Sequence, residues 1–183
     1  MADDTPSGFQ AGQTALIVRV PEAEPAVRAW RDRFGSSARA EVPAHVTVLF
    51  PFLEASRVDT DVHAALADVL GGHPAFDVRF ERCGRFPGVL HLVPEPDAPF
   101  RRLTEAIVAR WPEAPPYGGR FGEVVPHLTV AQSEDDALLA ASEADFAPGL
   151  PFSSHVSAVD FIAHDGVEWR VRATFPLAVP VTP

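Results

Sequence analysis

One pattern occurs twice in this chain. Residues 41–48 read Glu41-Val42-Pro43-Ala44-His45-Val46-Thr47-Val48, and residues 123–130 read Glu123-Val124-Val125-Pro126-His127-Leu128-Thr129-Val130. Both are Glu-Val-x-x-His-x-Thr-Val. On a strand, a histidine and a threonine two positions apart share one face, about 6.6 Å apart along it. Two such pairs facing one cleft supply two imidazoles and two hydroxyls. A neutral imidazole can take a proton from water or a hydroxyl, and an imidazolium can return one to a leaving oxygen. Histidine suits both tasks because its ordinary pKa lies near 6.5. The threonines can donate hydrogen bonds to the non-bridging oxygens of a phosphate. The candidate catalytic residues are therefore His45, Thr47, His127 and Thr129. A single His-x-Thr is short and is better read as strand propensity. The second copy, in matching context, favours chemistry.

These motifs lie far apart in sequence, so the fold must bring them together. Thr14–Val20 reads as a strand. Pro21 opens a helical stretch with Ala26, Val27, Trp30 and Phe34 at helical spacing, ended by Gly35-Ser36-Ser37. Ala44–Phe50 is the strand of the first motif. Val58, Val62, Leu66 and Val69 mark a helix that stops at Gly71-Gly72. Phe76, Val78 and Phe80 alternate with charged residues, and Val89–Val93 pairs with them across a turn at Pro87-Gly88. Pro94–Pro99 is the candidate lobe boundary. Phe100, Leu103, Ile107 and Trp111 form one helical face, and a Pro/Gly-rich loop runs from Pro112 to Gly122. Pro126–Gln132 is the strand of the second motif. Ser133 is placed to cap a short helix with Asp136 three residues on. Val156–Ile162 and Glu168–Phe175 close the chain around Asp165-Gly166. In the last strand Trp169, Val171, Ala173 and Phe175 are expected on one face, and Arg170 and Arg172 on the other.

The bulk composition narrows the choice. Fifteen basic residues against 25 acidic ones leave a net charge of −10. Polyanion binders carry a basic face, so this balance favours a small or end-recognised anionic substrate over a long nucleic acid. Lysine is absent, which excludes a lysyl-adenylate ligase; any ligation must run without ATP, as reversed transesterification. Cys83 is the only cysteine, so neither a disulfide framework nor a cysteine-based zinc site is expected. No phosphate loop, zinc-protease helix or serine elbow is present. No apolar run approaches a membrane span, and the acidic first residues do not resemble a signal peptide. The expectation is a soluble cytoplasmic protein. His63, His73, His91, His155 and His164 have no partner at catalytic or metal spacing and read as structural or exposed.

At its two His-x-Thr-apolar motifs, His45-Val46-Thr47-Val48 and His127-Leu128-Thr129-Val130, the chain resembles the 2H phosphoesterase superfamily. That group includes bacterial 2′,5′ RNA ligase and cyclic phosphodiesterase proteins. Tyr117-Gly118-Gly119-Arg120-Phe121-Gly122 and the closing Trp169-Arg170-Val171-Arg172-Ala173-Thr174-Phe175-Pro176-Leu177 also look like its short bacterial members, so the resemblance spans roughly residues 14–178. It implies an α+β fold, bilobed, with two antiparallel β-sheets flanking a central groove and helices on the outer faces. One lobe would hold motif 45–47 and the other motif 127–129. Residues 1–13 would be a flexible amino terminus and 179–183 a tail.

The resemblance also implies metal-independent chemistry, with no cofactor, on a 2′,3′-cyclic phosphate or a 2′,5′ linkage. By analogy His45 would be the acid and His127 the base. The expected partner is a small cyclic phosphate, a nucleotide or an RNA terminus, met by a monomer with no membrane contact. Alternatives are an RNA 2′,5′ ligase or end-processing enzyme, and a nucleotide- or RNA-binding module without turnover. Tyr117 and Arg120 before the second motif, and Arg170 and Arg172 on the last strand, are candidate substrate-binding residues. Arg85 and Phe86 could reach the groove rim.

Overall fold

The structure, a computed structural model, describes residues 8–34 and 42–179; the side chains of 31–34 lie outside that description. The helix stop expected at Gly35-Ser36-Ser37 and the residue Glu41 therefore fall outside the described residues. The strands are β1 (Thr14–Arg19), β2 (His45–Leu49), β3 (Phe76–Phe86), β4 (Val89–Glu95), β5 (Leu128–Gln132), β6 (Phe152–Val156), β7 (Ala158–His164) and β8 (Trp169–Pro176). The α-helices are α1 (Glu24–Phe34), α2 (Thr60–Gly71), α3 (Ala98–Arg110) and α4 (Asp136–Phe146).

All neighbouring strands run antiparallel, in the order β6-β3-β4-β5-β2-β1-β7-β8. The two expected sheets are the four-stranded halves of this order. They join at the centre, through the pairing of Val46 with Leu128. That junction lies between the two motif strands. Each half is assembled from distant segments: β7 and β8 return from the carboxyl end to pair beside β1, while β3 to β6 form the other half. The sheet therefore does not divide at Pro94–Pro99 as the proline cluster suggests. Pro94 lies inside β4, opposite Phe80.

The apolar side chains explain the layering. Leu16, Val18, Val46, Val48, Leu128, Val130, Leu90 and Leu92 are buried with Leu66, Leu70, Phe100, Leu103 and Ile107 from the helices in one core. α1 packs on β5, α3 on β2, α2 on β8, and α4 on β4 and β5. At about 25 cal/mol per Å² of apolar surface removed from water, this shared face is what holds the two halves together. Alternate residues on the same strands point to the opposite, helix-free face.

Local signals mostly landed as read, with four differences. The strand expected at Val156–Ile162 is two strands, β6 and β7, broken at Ser157. β6 (Phe-Ser-Ser-His-Val) has weak alternation in the sequence, and it is fixed by pairing with β3. α4 is capped by Asp135, whose carboxylate accepts from the N–H groups of Ala137 and Leu138, and Ser133 instead accepts from the N–H of Asp135. In β8 a register irregularity opposite Phe161 and Ile162 breaks the simple alternation. Trp169 therefore packs with Ile17 and Ile162 on the helix-free face, while Ala173 and Phe175 join the main core. Finally, residues 8–13, part of the terminus expected to be flexible, make defined contacts. Gly12 donates its N–H to the His164 carbonyl, and Phe9 sets its ring edge against Phe50 and Trp169.

Candidate active site

His45 is the first residue of β2, and His127 immediately precedes β5. Val46 and Leu128 are fully buried in the core and pair with each other. Their neighbours on either side must therefore face away from the helices. Continuing the antiparallel register one residue each way sets His45 opposite Thr129 and Thr47 opposite His127. The two histidines then stand on a cross-strand diagonal, about 7–8 Å between α-carbons. That spacing leaves room for a phosphate between the rings. All four side chains are half-buried. Neither threonine hydroxyl has a hydrogen-bond partner among the described residues, so both remain available to a ligand.

Both imidazoles are oriented by the same device. His45 Nδ1 lies 2.8 Å from the carbonyl oxygen of Pro43, and His127 Nδ1 lies 2.7 Å from that of Val125. A carbonyl only accepts, so each Nδ1 carries the proton and donates it. Proton exchange with a substrate then falls to Nε2 in both rings. The segments supplying those carbonyls are tied to helices. Glu24 of α1 accepts the Ala44 N–H at 2.6 Å. Arg101 of α3 donates to the Val124 carbonyl at 2.9 Å and pairs with Glu123 at 3.0 Å and with Asp97 at 2.7 Å. The glutamate of the second motif is thus an anchor for the loop that delivers His127.

His127 sits against other rings. Burial lowers the pKa of His127 from 6.5, opposed by its bond to the Val125 carbonyl. Its ring meets Phe86 edge-on at 5.0 Å and His91 at 5.4 Å between centroids. His91, on β4, pairs across to Thr129 on one side and to Gly84 on the other. It is 4% exposed, and its ring stacks on Phe86 at 4.1 Å. Burial, followed by the neighbouring His127 and Arg82, pushes its pKa down to about 4, so it stays neutral beside the site. Its buried Nδ1 has no hydrogen-bond partner among the described residues. A residue at position 84 with a Cβ would place that atom 2.4 Å from His91 Nε2. His91 is therefore structural, as read from sequence, but it lies in the wall of the site. Its spacing to His127 gave no hint of this; only the β4–β5 register brings the two rings together.

A second missed residue is Arg19, which pairs with His45 across β1 and β2 on the same face. The registers then define one row across the sheet: Arg19, His45, Thr129, His91, Gly84. No local motif marks Arg19, because its place depends on strand pairing alone.

The other candidates divide. Tyr117 adopts φ 51° and donates its N–H to the Phe50 carbonyl at 2.6 Å, which docks its loop against the end of β2. Its half-buried ring packs edge-on against Phe121, and burial raises its hydroxyl pKa. Arg120 follows on the exposed side of that loop. Arg170 is committed to its own hairpin, pairing with Glu168 and with Asp165 at 2.9 Å. Those carboxylates neutralise it and weaken its case as a phosphate ligand. Arg172 is exposed and has no ion-pair partner among the described residues. Phe86 does reach the site, but Arg85 turns away to Glu143 of α4 at 2.6 Å. Among the described residues, no group of three or more His, Cys, Asp or Glu side chains gathers as a metal cage. No helix there is long and apolar enough to cross a membrane.

An antiparallel sheet that joins two His-x-Thr strands at its centre, with helices packed on one face, is the architecture of the 2H phosphoesterases. Residues 20–168, well over half of the chain, match the sequence profile of the 2′-5′ RNA ligase superfamily, and the chain belongs to that superfamily. Its fold is similar to that of Escherichia coli LigT. With LigT complexed with ATP it shares 19% identity over 92% of this chain and 99% of LigT, with a TM-score of 0.59. For LigT complexed with 3′-AMP the values are 16%, 92%, 99% and 0.59. The Thermus thermophilus protein TT0787 is 20% identical over 91% of this chain and 98% of its own, with a TM-score of 0.60. At these identities the likeness is one of fold. No curated protein matches the chain.

Proposed function

We propose that this protein is a metal-independent phosphodiesterase that opens a 2′,3′-cyclic phosphate, or a related small cyclic nucleotide phosphate. The observation that carries the reading is the repeated orientation of the two histidines. Each gives its Nδ1 proton to the carbonyl two residues earlier, and the register sets each beside the other motif's threonine. Two-histidine catalysis needs one neutral ring and one charged ring. Burial holds His127 towards its neutral form, which suits it as the base. Its Nε2 takes a proton from water as the water oxygen attacks phosphorus in line. The phosphorus–O3′ bond breaks, His45 Nε2 delivers a proton to O3′, and a 2′-phosphate remains. Thr47 and Thr129 donate to the non-bridging oxygens, where charge is held in the transition state. That LigT has been crystallised with ATP and with 3′-AMP supports a nucleotide-sized ligand here.

The test is hydrolysis of nucleoside 2′,3′-cyclic phosphates with and without chelator. Turnover that survives chelation and is lost in His45→Ala and in His127→Ala is the expected result. Retained turnover in both variants, or dependence on added metal, overturns the reading. The same geometry run in reverse would join a hydroxyl to a cyclic phosphate. The superfamily's name keeps 2′,5′ ligation as the second reading. A net charge of −10 favours the smaller substrate.

A further inference from the structure

Resting on that reading, we infer that Arg19 holds a second anionic group of the substrate, and that Asp160 and Thr174 position it for the purpose. Arg19 ends β1 on the helix-free face, directly across from His45. Its Nε pairs with Asp160 of β7, whose other carboxylate oxygen accepts the Thr174 hydroxyl at 2.6 Å. The Asp160 side chain is 4% exposed and that of Arg19 is 47% exposed. A buried carboxylate must be satisfied, and here both of its oxygens are. The guanidinium is not saturated in return. Its contact to Asp160 runs through Nε, and the terminal nitrogens make no hydrogen bond among the described residues. A planar fork anchored at Nε presents its remaining donors in a fixed direction, the geometry that recognises phosphate.

The direction of the lean decides which phosphate. Asp160 pairs with Ile17, one strand farther from β5 than β1 is. The guanidinium is therefore drawn away from the space between His45 and His127, by about one strand spacing of 4.8 Å and two residues along the sheet. It is poorly placed for the scissile phosphate and well placed for the next anion on the His45 side. With His45 protonating O3′, the ribose that bears this oxygen lies on that same side, and a 5′-phosphate on it is the next anion along. The preferred substrate is then a nucleotide carrying both a cyclic 2′,3′-phosphate and a 5′-phosphate, either free or as the end of a chain. In a chain without lysine and with a net charge of −10, such a cation must be held locally. The Asp160–Thr174 pair does this.

The experiment compares a nucleoside 2′,3′-cyclic phosphate with the same compound bearing a 5′-phosphate. Wild-type protein should prefer the 5′-phosphorylated form by about tenfold in kcat/KM, mostly through KM, the scale of one charge-assisted contact. Arg19→Gln should abolish the preference. Asp160→Asn and Thr174→Val should reduce it, and Arg19→Lys, which keeps the charge but loses the anchored fork, should restore it only in part. Thermal melts check that each variant is folded; Thr174→Val and Arg19→Lys serve if the others are not. A wild-type protein that ignores the 5′-phosphate, or an Arg19→Gln variant that still prefers it, overturns the inference and leaves the phosphodiesterase reading intact. If neither compound turns over, that reading fails instead. Calorimetric binding of the two compounds then decides on Arg19, with Arg19-dependent tighter binding of the 5′-phosphorylated one supporting it and equal binding overturning it.

Discussion

Replacing Gly84 by alanine should damage the site from the far end of its row, without touching any residue proposed for catalysis. Gly84 lies opposite His91 in the β3–β4 ladder. The added Cβ would stand 2.4 Å from His91 Nε2, 2.9 Å from Cε1 and 3.2 Å from Cδ2. Normal contact demands roughly 3.4 Å or more between such atoms, so the ring must retreat by about 1 Å. It cannot do so alone. Phe86 is stacked on it at 4.1 Å, and both rings bear on His127, at 5.0 and 5.4 Å. Overpacking of this kind costs about 1–3 kcal/mol, and for a chain of this size that lowers Tm by roughly 2–12 °C. A 1 Å displacement of a catalytic group can cost about a hundredfold in rate. Gly84→Ala should therefore melt earlier and lose kcat for cyclic phosphate hydrolysis by roughly ten- to a hundredfold. The diagnostic is the double variant. His91→Ala makes room for the new methyl, so Gly84→Ala should cost less stability in that background than alone, a coupling that a double-mutant cycle measures. Wild-type melting and kcat in Gly84→Ala, or strict additivity in the cycle, would refute the claim that His91 transmits packing to His127.

Other outcomes follow from the same geometry. The kcat/KM profile against pH should be bell-shaped, with its acidic limb falling below pH 6.5, because burial lowers the pKa of His127 and a base must be neutral to work; steady-state rates from pH 4 to 9 give both limbs. His91 is held neutral with a pKa of about 4 when folded, against 6.5 when exposed. The unfolded chain therefore binds the extra proton, and stability should fall as pH drops from 6.5 towards 4; chemical denaturation across that window should show a shallower fall in His91→Asn. Thr47→Val and Thr129→Val should each lower kcat about tenfold to a hundredfold while leaving the melting temperature nearly unchanged. Arg101→Ala should lower kcat modestly, since it frees the Val124 carbonyl and Glu123 and loosens the loop that carries His127. Activity and melting measured together separate this from unfolding.

The chemistry we propose for the site starts from the residues, because acid–base work on a phosphate needs particular side chains and the doubled His-x-Thr supplies them at strand spacing. The elements were legible where hydrophobic period and turn residues agree, as in Phe76–Phe80 and at Pro87-Gly88. β6 was not, since its residues carry little periodicity and its pairing with β3 fixes it. Nor was the division of the chain, because β7 and β8 cross back to β1.

Two readings came from the sequence alone: which groups we propose for the proton transfer, and that any cation serving them must be held locally in an acidic chain. Their arrangement was decided by the tertiary structure. Pairing Val46 with Leu128 sets the histidines on a diagonal. The ladders on either side bring Arg19 to one flank and His91 to the other. Cross-strand neighbours are chosen by register between segments far apart in the chain, and register follows from burying the whole apolar face at once. No local pattern encodes it. The four motif residues could be named from the sequence, but their flanking partners, Arg19 and His91, required the folded sheet.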